Sequence, residues 1–359
     1  YITECYDETI EKKIDFIGCI LLAAGLGALT FALVKGNDYG WSSTKIILIF
    51  TVSAAALIAF VIYEMKVKTP MIEFSIFNVK SFTASIILIA VFFFAYMPVS
   101  YLINFYFENT LGYSVLKAGL MMGIPSVAAL ICAPLLPFIA KNIPDRVVSF
   151  VSILIVVLGN FLFAFMNKEN HMTIIFTAFI LLGVGVRIVT SLYQTAYEEI
   201  SNDKNAMASG IQNSLRQLSA CIAIALVSTL SSNFTTTAVQ NTKNRISAEI
   251  NRSTVLETQV KTSFNDKIKT SGSKDSSGFS KSAVHNIFIS REAAILKTVP
   301  YKMKESVVKN FNTQEKEVDR IVDDASKIKE EESYKVYNKC FLITGIIAML
   351  GFIVVPFNK

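Results

Sequence analysis

The sequence predicts an all-α polytopic membrane protein with eight transmembrane helices and one large helical extracellular insertion. Three observations carry that prediction. Apolar residues fill 52% of the 359 positions and charged residues only 17%, against roughly 25% charged in a soluble domain. What charge there is clusters, with residues 232–337 holding 18 of the 34 Lys and Arg and 14 of the 28 Asp and Glu. Elsewhere eight continuous apolar runs reach or approach the ~20 residues that a helix needs to cross hydrocarbon. They cover 14–34, 45–63, 82–107, 117–139, 147–166, 172–196, 207–232 and 339–356. Barrel strands would alternate in sidedness instead.

Taken in order, residues 1–13 form a cytoplasmic N-terminal segment and 14–63 the first two spans. The linker 64–81 is too short to cross and too apolar for a free loop. Two readings of it stay open. Met71, Phe74, Ile76 and Phe77 lie at the membrane interface with Lys66, Lys68 and Lys80 toward headgroups, or the segment is a short packed connector. Residues 82–232 supply five further spans. Gly119 and Gly123, four apart, are expected to permit close helix approach, and Pro125, Pro134 and Pro137 to bend the fourth span.

The insertion, 233–338, carries its own helical periodicity. Ala238, Ile246, Ile250, Leu256, Val260 and Phe264 extend the seventh span, and the Ser/Gly-rich 271–280 reads as a flexible turn. A short helix is expected over 287–296, ended by Pro300. A long one over 302–337, marked by Val307, Phe311, Val318, Ile321 and Ile328, runs into the last span within 339–359.

Eight crossings leave both termini on one side. With cytoplasmic termini, nine basic residues flank the inner ends (Lys12, Lys13, Lys66, Lys68, Lys80, Lys141, Arg146, Lys204, Lys359). Five lie outside (Lys35, Lys45, Lys117, Lys168, Lys339). This agrees with the positive-inside rule, from which long translocated loops are exempt. The expected location is the cell membrane, multi-pass, with 233–338 extracellular.

Composition excludes several functions. His171 and His285 lie far apart and no Cys-x-x-Cys exists, so no metal site or cofactor is expected. Four of the five cysteines (Cys5, Cys19, Cys132, Cys221, Cys340) sit in apolar runs, where they pack as small core residues. No basic stripe interleaved with aromatics suits nucleic acid. No catalytic cluster is evident, so the chain is not expected to be an enzyme.

Six short segments then fall in a telling order: DFIG at 15–18, KGNDYGW at 35–41, PMIEFSIF at 70–77, YFENTLGYSVLKAGLMMGIPS at 106–126, IPDR at 143–146 and ASGIQNSLRQL at 208–218. This order resembles the C-terminal eight helices of fourteen-helix drug:proton antiporters of the major facilitator superfamily, the EmrB/QacA type. The likeness covers residues 1 to about 232 and the last span. It implies that the first two spans are the pair inserted between two six-helix halves and that the last six are the C-terminal half. It also implies proton-coupled efflux of amphipathic drugs or similar small molecules. The expected partners are the lipid bilayer, a small-molecule substrate, protons and the N-terminal transporter half missing from this sequence. One departure is Ser219-Ala-Cys-Ile-Ala223, where the family places a glycine-rich run. The alternative function is a non-enzymatic membrane permease subunit or sensor with a partner-binding extracellular domain.

Charges within spans are costly and so mark candidate sites. Arg187, in the sixth span, either faces a cavity, binding an anionic group or pairing a carboxylate, or snorkels. Asn213, Arg216 and Gln217 form the polar cluster that the resemblance implies, most simply a structural tie. Glu108, at the end of the third span, could carry a proton only if covered. Asp15 reads as a helix N-terminal charge. Asp145 and Arg146 resemble the superfamily's gating loop. Tyr101, Asn104, Tyr193 and Gln194, with Tyr96, Phe105 and Asn160, could line the substrate path.

Overall fold

The computed structural model describes residues 15–67, 70–135, 143–198, 200–201, 204–270 and 300–355. Eight helical spans, the fourth of them made of two consecutive helices, are long and apolar enough to cross a membrane, so the chain is an all-α polytopic membrane protein. By packing it divides into two units, one of residues 1–165, 172–229 and 341–359, the other of 166–171 and 230–340.

The first unit begins with a hairpin of α1 (Phe16–Tyr39) and α2 (Thr44–Glu64). Asp15 caps α1 by accepting from the Gly18 amide at 2.9 Å, and Ser43 caps α2. Gly40, at φ +84°, turns the chain between them, a conformation that L side chains avoid. The two helices interlock where Ser53 Oγ donates to the Gly25 carbonyl at 2.8 Å and Leu57 fills the space above that glycine. Outward, Phe16, Ile20, Phe31, Ile47, Leu48, Val52 and Ile58 stay exposed. Such a face suits lipid rather than water.

The linker forms a 3-10 turn, Phe74–Asn78, and leads into α3 (Lys80–Phe105), which ends in a π-turn at Tyr106–Thr110. Ile76 is buried in a cluster with Phe82, Ile86, Ile200, Ala208 and Ile211, while Met71, Phe74 and Phe77 are exposed. A connector packs through Ile76 and leaves an apolar edge.

The fourth span is broken, not merely bent, into α4 (Val115–Met122) and α5 (Ile124–Cys132). Pro125 has no N–H with which to continue the ladder, and the Gly123 amide tightens back onto Leu120 O at 3.1 Å. Pro137 lies outside the described residues. Gly119 has no neighbour within 4 Å of where a Cβ would stand, and Gly123 meets only its own helix's carbonyls. Close approach occurs instead at Gly183 of α7, which packs directly on the Pro125 carbonyl.

Helix α6 (Asp145–Ala164), α7 (His171–Glu198) and the first half of α8 (Asn205–Arg252) follow. Helix α10 (Lys304–Met349) and a final turn, α11 (Gly351–Val354), complete this unit with their apolar end. Phe163 stacks on Phe341 at 4.8 Å, and the buried Thr344 Oγ1 donates to Asn160 Oδ1 at 2.7 Å. Cys221 and Cys340 are buried and Cys19 and Cys132 half-buried, all as free thiols.

The second unit is a helical bundle of the far half of α8, α9 (Thr258–Thr270) and most of α10. Its core joins Ile246, Ile250, Leu256, Val260, Phe264, Phe311, Val318 and Ile321. The helix over 234–265 is not continuous, since α8 stops at Arg252. Ser253 there turns its hydroxyl to Glu317 (2.9 Å) and accepts from the Val255 amide (3.4 Å), competing with helix continuation. Gln314, only 1% exposed, accepts from the Glu257 amide and fixes the start of α9. The segments read as a flexible turn (271–280) and short helix (287–296) lie outside the described residues.

Candidate functional site

Helix spacing brings three aromatic rings to one stretch of α3. Phe92 and Tyr96, one turn apart, stack at 6.0 Å, and Phe93 meets Tyr96 edge-on at 6.3 Å. Phe92 and Phe93 are buried and Tyr96 half-buried. Across from them, the Arg216 guanidinium of α8 lies over the Phe93 ring, 5.2 Å from its centroid. Among the described residues Arg216 is drawn into no ion pair. An aromatic face contributes ~0.5–2 kcal/mol to a cation, more when water is excluded. The arrangement leaves the guanidinium's hydrogen-bonding edge available for an acceptor.

Asn213 and Gln217 share the expected face but do not bond Arg216. Both are exposed and engage their own helix, Asn213 Nδ2 with Ser209 O at 3.0 Å and Gln217 Nε2 with Cys221 Sγ at 3.8 Å. The buried partner on this stretch is Gln212, whose Oε1 accepts from Tyr197 Oη. Neither residue was a candidate from sequence. The signal available was position, since Gln212 falls within the ASGIQNSLRQL segment that carries the resemblance.

At the C-terminal end of α3, Asn104 and Glu108 meet, while Tyr101 packs on a neighbouring ring. Tyr101 packs on Phe105 at 4.7 Å, and Asn104 Nδ2 donates to Glu108 Oε1 at 3.2 Å. Glu108 is exposed in the π-turn. Arg187 is half-buried in α7 one turn beyond Gly183. Tyr193 and Gln194 continue α7, and their side chains lie outside the described residues, as does that of Asp145, which begins α6. Arg146 is exposed on the first turn of α6. An ion pair that sequence did not anticipate joins Glu73 of the linker to Lys204 at the start of α8. It fastens the linker beside the apolar cluster around Ile76. Among the described residues no group of three or more His, Cys, Asp or Glu could hold a metal ion.

Residues 16–224 match the family model described as Major Facilitator Superfamily. An uncharacterized MFS-type transporter, YhcA, of Bacillus subtilis is 23% identical over 64% of this chain and 43% of its own length. The multidrug resistance protein Stp of Mycobacterium tuberculosis is 26% identical over 63% of this chain and 43% of its own. The probable multidrug resistance protein EmrY of Escherichia coli is 29% identical over 62% and 44%. The chain thus spans less than half the length of the curated relatives it matches.

Proposed function

This chain belongs to the major facilitator superfamily, and on that footing we propose that it is part of a proton-coupled exporter of amphipathic small molecules. The observation that carries the reading is the match over 16–224, together with relatives bearing multidrug-resistance names. It favours transport over a permease subunit or sensor, and over enzymatic activity. The remaining helices of the machine come from outside these 359 residues, and the two parts rock against each other around a site near the membrane midplane.

Within this chain the Arg216 guanidinium on its Phe93 support, with Tyr96 beside it, offers an amphipathic substrate both an apolar surface and a hydrogen-bonding charge. Arg187 adds a second positive group on α7. Asp145 and Arg146 act at the gating turn, and Asn213 and Gln217 line the exposed face of α8. Tyr101, Asn104 and Glu108 stand along the path at the far end of α3. Both termini face the cytoplasm, and residues 233–338 form an extracellular cap at the cell membrane.

The test uses the complete protein in inside-out vesicles. Dye should accumulate when a proton gradient is imposed and stop when the gradient is collapsed. Accumulation indifferent to the gradient would overturn the coupling, and none at all the transport reading. For topology, a cysteine at the exposed Lys309, with the native cysteines replaced, should react with an impermeant thiol reagent on intact cells. Reaction only after lysis would reverse the orientation.

A further inference from the structure

One end of the α1–α2 hairpin holds two acidic side chains that the transport reading does not use. Asp15, half-buried, accepts through Oδ1 from the Gly18 amide (2.9 Å) and from Tyr63 Oη (3.1 Å). Glu64, the residue that follows the second apolar run, is only 3% exposed, and its Oε1 accepts from the Met71 amide at 3.2 Å. The Ile72 amide also faces this carboxyl. Both acids converge on Gly18. A methyl group there would fall 2.4 Å from Asp15 Oδ2 and 3.0 Å from Glu64 Oε1. The second oxygen of each, Asp15 Oδ2 and Glu64 Oε2, is buried and meets no hydrogen-bond donor among the described residues.

Each donor that faces the pair among the described residues is neutral: three backbone amides and one phenol. Among the described residues no Lys, Arg or His forms an ion pair with either acid. Lys66 is exposed, Cys19 turns its thiol to Met71 Sδ, and Lys12, Lys13 and Lys68 lie outside the described residues. Two full negative charges at such a place repel each other and lack solvation, and one is relieved by binding a proton. A proton on Glu64 Oε2 would also turn that orphaned acceptor into a donor.

We propose that Asp15 and Glu64 form a proton-binding carboxyl pair, with the proton on Glu64 Oε2 in this form of the hairpin. Uptake makes one O–H bond with a proton from water, and release returns that proton to water. Release sets two charges against each other across Gly18 and favours parting of the α1 start from the α2 end. Proton occupancy is thereby tied to closure of the hairpin onto the linker at Met71. The part this plays in export rests on the proton-coupled reading above. The binding site does not.

The experiment is pH-dependent modification of the whole chain in liposomes by dicyclohexylcarbodiimide, which attacks protonated carboxyls in apolar surroundings, with the site read by mass spectrometry. Glu64 should be modified at neutral pH far more than Glu330, an acid in the polar unit, and lose reactivity as pH rises. Asp15→Asn keeps an oxygen for the Gly18 amide and should lower the midpoint of that loss by about one pH unit. Glu64→Gln should abolish the modification at this position. Equal labelling of Glu64 and Glu330 at neutral pH, or a midpoint unmoved by Asp15→Asn, would overturn the pair. So would protection of Glu64 by sodium at constant pH, which would assign the site to a metal cation. Gradient-driven dye export by the complete protein without this labelling would refute the pair and leave the transport reading standing. Labelling in a complete protein that exports nothing would support the pair and refute the transport reading.

Discussion

Replacing Gly183 by alanine should destabilise the protein, although alanine is the better helix former. A Cβ at this position would stand 2.2 Å from the Pro125 carbonyl oxygen, 2.8 Å from Ala128 Cβ and 3.0 Å from the Pro125 carbonyl carbon. Ordinary carbon–oxygen contact needs ~3.3 Å, so α7 and α5 must part by roughly 1 Å at this crossing. Two of the three obstructing atoms are backbone, and no rotamer change can clear them. Overpacking of this kind costs ~1–3 kcal/mol. The gain from removing a mid-helix glycine returns ~0.5–1 kcal/mol, leaving a net loss of up to ~2.5 kcal/mol. Gly119→Ala and Gly210→Ala are the internal controls, because neither position has a neighbour within 4 Å. Each should be neutral or stabilising by up to ~1 kcal/mol. The assay is thermal unfolding of the detergent-solubilised chain, run on all three variants and the parent. A Gly183→Ala protein as stable as Gly119→Ala would show that α5 and α7 do not cross in contact here.

Thr344→Val preserves shape but removes the hydroxyl that reaches Asn160 Oδ1 inside the apolar packing. It should cost ~0.6–2 kcal/mol in the same assay, and no loss would mean that Asn160 has another donor. Glu317→Gln should weaken the second unit at pH 7, because Arg320 first, and Ser253 with it, hold the Glu317 carboxyl below its ordinary value. A lowered folded value stabilises above the unfolded one of about 4.3. The variant's deficit, about 1–2 kcal/mol by urea unfolding read through proteolysis within 232–340, should therefore shrink as pH falls below 4.3. A pH-independent deficit would deny the charge-assisted bond. In the complete protein, Arg187→Ala should alter transport rate or substrate range per folded molecule. Arg216→Ala, which loses a cation–π contact of ~0.5–2 kcal/mol and the charge offered to substrate, should lower the yield of folded protein and also slow export per folded molecule. Unchanged export per folded molecule in either variant would remove that residue from the substrate path.

The polar insertion was the most readable part of the chain. Water surrounds such a bundle, so only its buried side needs to be apolar, and the 3.6-residue rhythm survives in the sequence. Phe311, Val318 and Ile321, together with Ile246, Ile250, Val260 and Phe264, were named from spacing and share one core. Within the spans that rhythm is absent, because lipid accepts apolar side chains on every face. Spacing therefore could not show that Gly183, not Gly119, marks a close crossing. Nor could it show that Arg216 turns toward Phe93 while Asn213 and Gln217 stay exposed.

The sequence by itself determined the number and order of the spans, the polar insertion and the family resemblance. Each of these depends on local composition, on the length needed to cross hydrocarbon and on short runs of neighbouring residues. Tertiary structure alone decided which polar groups meet. Thr344 and Asn160 lie 184 positions apart, and Glu73 reaches Lys204 across 131. Glu64 entered no sequence argument, since one acid at the end of an apolar run is an ordinary boundary. It becomes unusual only when the fold buries it beside Asp15 with an oxygen that no described residue bonds. The cost of burying a polar group is set by what the rest of the chain brings to it, and that is a property of packing in three dimensions.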